Sequence, residues 1–195
     1  MIPAGYLLKR VLPPPGWLKS GPTHIVEVCS VSDCVNDNVV DIQESWQHNG
    51  FGLASTPNIL LELARKSTAN LAESTLFYYE VYEQEIESDG WVYKFEDWRD
   101  VTPVPSSSSR APVIEPSSAN IILLGYDVVT CGDYLEHSPL SCNSIASALP
   151  VNRHCLFDEL AKAKEAINTG AFSGGCEPGV YKIFSVSSVA DWTVT

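Results

Sequence analysis

The chain has 195 residues, 45% of them apolar, and a net charge of −12. That apolar share excludes an intrinsically disordered chain, and a domain of this size buries roughly 70% of its unfolded surface with no need of a disulfide or metal. The acidic balance argues against general affinity for nucleic acid or anionic membrane, because phosphate binding relies on Lys and Arg.

The opening "MIPAGYLLKRVLPPPGW" has three apolar residues before Lys9 and Arg10 and then a triple proline, so no secretory signal is read there. No run approaches the ~18 apolar residues of a membrane helix. A cytoplasmic location is therefore expected. The six cysteines (Cys29, Cys34, Cys131, Cys142, Cys155 and Cys176) are expected to be reduced thiols there.

Residues 6–11 and 23–32 ("THIVEVCSVS") are rich in β-branched side chains and read as strands, divided by Pro13–Pro15. Between 33 and 48 a helix is expected, with Val35, Val39, Ile42 and Trp46 at helical spacing. A second begins at Thr56, a good N-cap, with Pro57 in the first turn, Leu60 and Leu63 inward, and Arg65 and Lys66 where the dipole favours cations. Residues 74–87 and 91–98 are aromatic and β-prone, and Ser88-Asp89-Gly90 between them is turn chemistry, so they read as a long hairpin. The Pro/Ser-rich stretch 101–118 reads as a mobile loop.

"NIILLGYDVVTCG" follows, apolar enough for the centre of a sheet. A helix is expected over 155–169, closed by Gly170, and a last strand over 179–186. No internal repeat is visible. The pattern predicts one α+β domain over 1–195, a mostly antiparallel sheet with two or three packing helices, the strands after the loop completing the sheet begun before it.

Candidate chemistry is sparse. His137, Cys142, His154 and Cys155 fall close together, and Cys142 with His137 or His154 could form a thiolate–imidazole pair, the basis of a thiol-dependent hydrolase or transferase. No family signature surrounds Cys142, and the alternative is a cysteine packed under a short helical turn over 141–148. Zinc could use the same residues, but Cys29-x₄-Cys34 is wide for a ligand pair and His154-Cys155 are adjacent. Glu83-x-Glu85 resembles the Glu-x-Glu strand of ADP-ribosyltransferases, a match expected by chance among 24 acidic residues. "TGAFSGGCEPG" has no Lys and follows a helix, the wrong order for a phosphate loop. No catalytic residue, metal or cofactor is therefore assigned.

The hairpin holds the strongest signal. Glu73, Glu80, Glu83, Glu85, Glu87, Asp89, Glu96, Asp97 and Asp100 face only Lys94 and Arg99 in the same stretch. Residues two apart on one strand face are ~7 Å from each other, inside a Debye length of ~8 Å, so Glu83, Glu85 and Glu87 repel. Either the charge protects a sheet edge or it receives a basic partner. Tyr78, Tyr79, Tyr82, Trp91, Tyr93 and Trp98 would then serve as aromatic anchors in a charged rim. The expected partner surface is Tyr82, Glu83, Glu85, Glu87, Asp89, Trp91, Glu96, Asp97 and Trp98. In size, acidity and charge layout the chain resembles the cognate immunity proteins of bacterial toxin systems. The resemblance implies a non-enzymatic inhibitor of a basic toxin, such as a nuclease.

Overall fold

The computed structural model describes residues 1–18, 24–32, 34–35, 37–42, 48–89, 92–99, 112–131, 135–173, 176, 180–190 and 192, with backbone alone at 37, 83–89, 92–99, 119, 131, 135–136 and 180. Among these residues seven strands form one antiparallel sheet and two α-helices pack on it, an α+β fold. The strands are β1 (Ile2–Arg10), β2 (Asp37–Asn38), β3 (Thr75–Asp89), β4 (Val92–Arg99), β5 (Ile121–Cys131), β6 (Leu135–His137) and β7 (Val180–Val189). The helices are α1 (Pro57–Ser67) and α2 (Leu160–Asn168). The sheet order is β2-β1-β3-β7-β5-β6, with β4 paired to β3. No described helix is long and apolar enough to cross a membrane.

This order reads the same from both ends, because the chain contains one folding unit twice. Gly5 on β1 has φ +134° and Gly125 on β5 has φ +148°, a conformation that L side chains rarely adopt. A Cβ on Gly5 would lie 2.7 Å from the Ala54 carbonyl oxygen and 2.8 Å from Leu53; on Gly125 it would lie 2.6 Å from the Phe157 oxygen and 2.8 Å from Leu156. Each glycine lets a loop press onto its strand, through the paired bonds Tyr6–Ala54 and Tyr126–Phe157.

An asparagine secures each loop. Asn49 Nδ2 donates to the Ala4 oxygen, and its Oδ1 accepts from the amides of Phe51 and Leu53. Asn152 does the same with the Leu124 oxygen and the amides of His154 and Leu156. The loops turn through Gly52 (φ 72°) and Cys155 (φ 61°). α1 opens at Pro57 and α2 at Leu160, each eight positions after its asparagine.

The register completes the equivalence. Both outer strands bulge at the glycine, between Pro3 and Gly5 and between Leu123 and Gly125, and Gly5 pairs with Tyr79 as Gly125 pairs with Val186. Tyr79 and Val186 also pair with each other in the central ladder, where Tyr78↔Ser187 and Glu80↔Ser185 exchange under the same correspondence. A pseudo-two-fold axis therefore passes between Tyr79 and Val186. β2 on β1 (Arg10↔Asp37) matches β6 on β5 (Thr130↔His137). The expectation of no repeat is corrected on this geometry.

Several local expectations change for physical reasons. Residues 24–32 make only an isolated bridge, Leu12↔Val28, because they cross between the units rather than join an edge. Within 33–48 the described residues hold β2 and no helix: the Val39 amide bonds the Leu8 oxygen, and Val40 and Ile42 are buried from irregular backbone. Residues 43–47, with Trp46, lie outside the described residues. α2 starts at Leu160 rather than 155, since residues 155–157 form the loop pressed onto Gly125. The apolar β5 lies next to last in the order, with Ile122 and Leu123 exposed, and the central pair is β3–β7. The short helical turn, Ser144–Ala148, is capped by Asn143 rather than by the serine at 141. Of the loop expected at 101–118, residues 101–111 lie outside the described residues, and Ile114 bonds back to Ser55 and accepts from the Tyr6 hydroxyl.

Candidate functional site

β3 outruns the rest of its sheet. Its ladder with β1 ends at Val81 and its ladder with β7 ends at Glu83. β4 takes over the edge that β1 leaves and pairs with β3 from Glu83↔Arg99 to Asp89↔Val92. By the two-fold correspondence Tyr82 matches Val189, the last residue of β7, and among the described residues the stretch from Glu83 to Asp89 and β4 have no counterpart in the second unit.

The register distributes the charges. Glu83 lies opposite Arg99 on one side and Lys182 on the other, and Glu87 lies opposite Lys94. Between Gln84↔Trp98 and Ile86↔Phe95 the register shifts by one, which places Glu85 against Glu96 and Asp97 together. Like charges at directly opposed positions are destabilising. The register thus sets Glu83 and Glu87 opposite basic positions and brings three acidic positions together at the bulge.

Tyr82 is the best-defined residue of the expected surface. It is half-buried, its hydroxyl accepts from the Met1 amino group at 2.9 Å, and Lys164 of α2 lies 5.1 Å from its ring centre. Tyr78 and Tyr79 are not surface anchors: both are buried, and burial pushes both phenols up. Trp91 lies outside the described residues, and Glu83, Glu85, Glu87, Asp89, Glu96, Asp97, Trp98 and Tyr93 are placed by register alone.

The Cys/His cluster resolves into two groups. Cys142 is bonded to Cys34, with Cα atoms 5.6 Å apart, joining the long loop of the first unit to the second. The expectation of reduced thiols is corrected for this pair. His137 lies beside both, its Nδ1 3.2 Å from Cys34 Sγ and 3.7 Å from Cys142 Sγ. His154 is elsewhere, its Nδ1 2.7 Å from Glu27 Oε1 with Cys29 close by. While the bond is closed Cys142 has no free thiolate to offer as a nucleophile.

Burial pushes the Cys29 and Cys155 thiols up to about 12, so roughly 10⁻⁵ of each is thiolate at neutral pH. Iodoacetamide should therefore label neither in the native protein within the time that labels free cysteine. After mild reduction Cys34 and Cys142 should react first, as peptide mass mapping would record. Prompt labelling of Cys29 in the folded chain would contradict this burial.

Between the units lies a polar knot that the sequence did not announce. Lys9 and Asp127 are both fully buried. Lys9 Nζ donates to the oxygens of Ser30, Val31 and Ser32 at 2.6–3.0 Å. Asp127 Oδ2 accepts from Ser30 Oγ (2.7 Å) and the Val31 amide (2.9 Å), and Oδ1 accepts from Ser138 Oγ (2.6 Å). Desolvation raises the Asp127 pKa, against the lowering by Ser138, Ser30, Val31 and Lys9. Two opposite charges thereby hold the crossing segment by both halves of its backbone, a structural role.

Comparison with family models, with curated proteins and with solved structures returned no match.

Proposed function

We propose that the protein is a binding protein that presents the β3–β4 ribbon to a basic protein partner and neutralises it, in the manner of a toxin's cognate immunity protein. One observation carries the reading: among the described residues the two-fold repeat accounts for six strands and both helices, while the acidic, aromatic ribbon is an addition to the repeated unit. The bulge adds support, because three carboxylate residues brought to one register position are costly alone and favourable beneath a cation. A nuclease is the kind of toxin that fits, since carboxylates there stand in for phosphates and the field speeds encounter. Thiol chemistry is the weaker reading, because Cys142 is bonded to Cys34.

The test uses Glu85→Lys, Glu96→Lys and Asp97→Lys together, which spares the residues opposite Arg99, Lys94 and Lys182. A partner captured by the immobilised chain at low salt is purified, and its association rate is measured against wild type and variant. The rate should fall at least about tenfold in the variant, and its dependence on ionic strength should flatten. Equal rates and equal salt slopes would refute the reading.

A further inference from the structure

Cys34, Cys142 and His137 are unused by the binding reading, and three separate segments bring them together: the loop before β2, the turn before Ser144–Ala148, and the end of β6. We propose that in the reduced protein Cys34 Sγ, Cys142 Sγ and His137 Nδ1 bind one zinc-class divalent cation, so that the Cys34–Cys142 bond gates a metal site.

The distances support this assignment. Zn–S bonds of ~2.3 Å and a Zn–N bond of ~2.0 Å at tetrahedral angles place nitrogen and sulfur about 3.5 Å apart. His137 Nδ1 is 3.2 Å from one sulfur and 3.7 Å from the other, so the imidazole already stands at ligand separation. Only the sulfurs must part, to about 3.8 Å, which side-chain rotation supplies with the Cα atoms 5.6 Å apart. Cys34 and His137 are exposed and Cys142 is half-exposed, so solvent takes the fourth position.

The second group, Glu27, Cys29 and His154, makes a poorer site. Its thiol is 2% exposed, and the carboxylate already occupies the imidazole nitrogen.

The gating step balances. A dithiol reductant delivers two electrons and two protons, breaking the Cys34–Cys142 bond to two thiols while the reductant becomes a disulfide. Metal binding then displaces both thiol protons to water. Such reductants maintain thiols in a cytosol, so the cation would replace the covalent staple between the same segments there.

The experiment is an anaerobic Co²⁺ titration of the full chain after reduction and removal of the reductant, read by thiolate-to-cobalt charge-transfer absorption. The reduced protein should take up one Co²⁺ per chain and release it to Zn²⁺, and the oxidised protein should take up none. His137→Ala should weaken uptake more than about 100-fold, Cys34→Ser should abolish the charge-transfer band, and His154→Ala should leave both unchanged. Should Cys34→Ser fail to fold, reduced wild type alkylated at Cys34 and Cys142 serves in its place and should show no band. No band in the reduced wild type, or one that survives alkylation or the loss of His137, would overturn the proposal.

Discussion

Replacing Gly125 with alanine should cost the protein more than about 4 kcal/mol, and Gly5→Ala should cost nearly the same. At φ +148° an L side chain is strained by about 1–3 kcal/mol before any contact is counted. The new Cβ would also stand 2.6 Å from the Phe157 oxygen and 2.8 Å from Leu156. Backbone cannot give way there without opening the Tyr126–Phe157 bonds and disturbing Asn152, which holds the same loop. Typical total stability is about 5–15 kcal/mol, so either change removes a large share of it. Urea unfolding reads the loss, and a midpoint within error of wild type for either variant would contradict the close approach. Losses that differ by several kcal/mol would contradict the equivalence of the units.

Asp127→Ala is expected to cost about 3–5 kcal/mol, because it removes from the interior the acceptor of Ser30 Oγ, the Val31 amide and Ser138 Oγ, together with the attraction between the carboxylate and Lys9. In a chain of this size that corresponds to a fall of roughly 10 °C in Tm. Asp127→Asn should cost less, since its amide oxygen can keep Ser30 and Val31 while Ser138 turns to accept.

The asparagine variant also tests the ionisation. Desolvation leaves the folded carboxyl with a pKa above its ordinary value of 3.8, so over that window the native chain binds the proton more tightly than the unfolded one. This group's contribution is therefore most favourable below 3.8 and declines as pH rises through the raised folded value. The stability of wild type relative to Asp127→Asn should fall over that rise, as urea midpoints at successive pH values would show. A difference that grows with pH would mean that the hydrogen bonds outweigh desolvation.

What the sequence disclosed follows from how local each signal is. α1 was legible because Thr56-Pro57, Leu60 and Arg65-Lys66 are start, core and stop signals within one helix. The spacing of Val35, Val39 and Ile42 mimics a helix, but Val40 and Ile42 fill the core from irregular chain, which periodicity alone cannot distinguish. The duplication was hidden because its shared residues reduce to Gly-Tyr on the outer strand and Asn-x₃-Leu in the loop, separated by 7–48 in one unit and 127–151 in the other. Gly52 and Cys155 take the same left-handed turn with unlike side chains. Counterpart positions even hold Leu7 and Asp127, so the polar knot breaks the symmetry that would have revealed it. Cys34 and Cys142 lie 108 positions apart, beyond any spacing rule. The acidic run was legible as composition, but its register against Arg99, Lys94 and Lys182 required the fold.

Amide hydrogen exchange of the chain with and without its captured partner tests the binding account most directly. Slowed exchange confined to residues 83–99 and the root at Tyr82 is the predicted result. Protection elsewhere on the sheet, with 83–99 exchanging as fast as in the free chain, would contradict it.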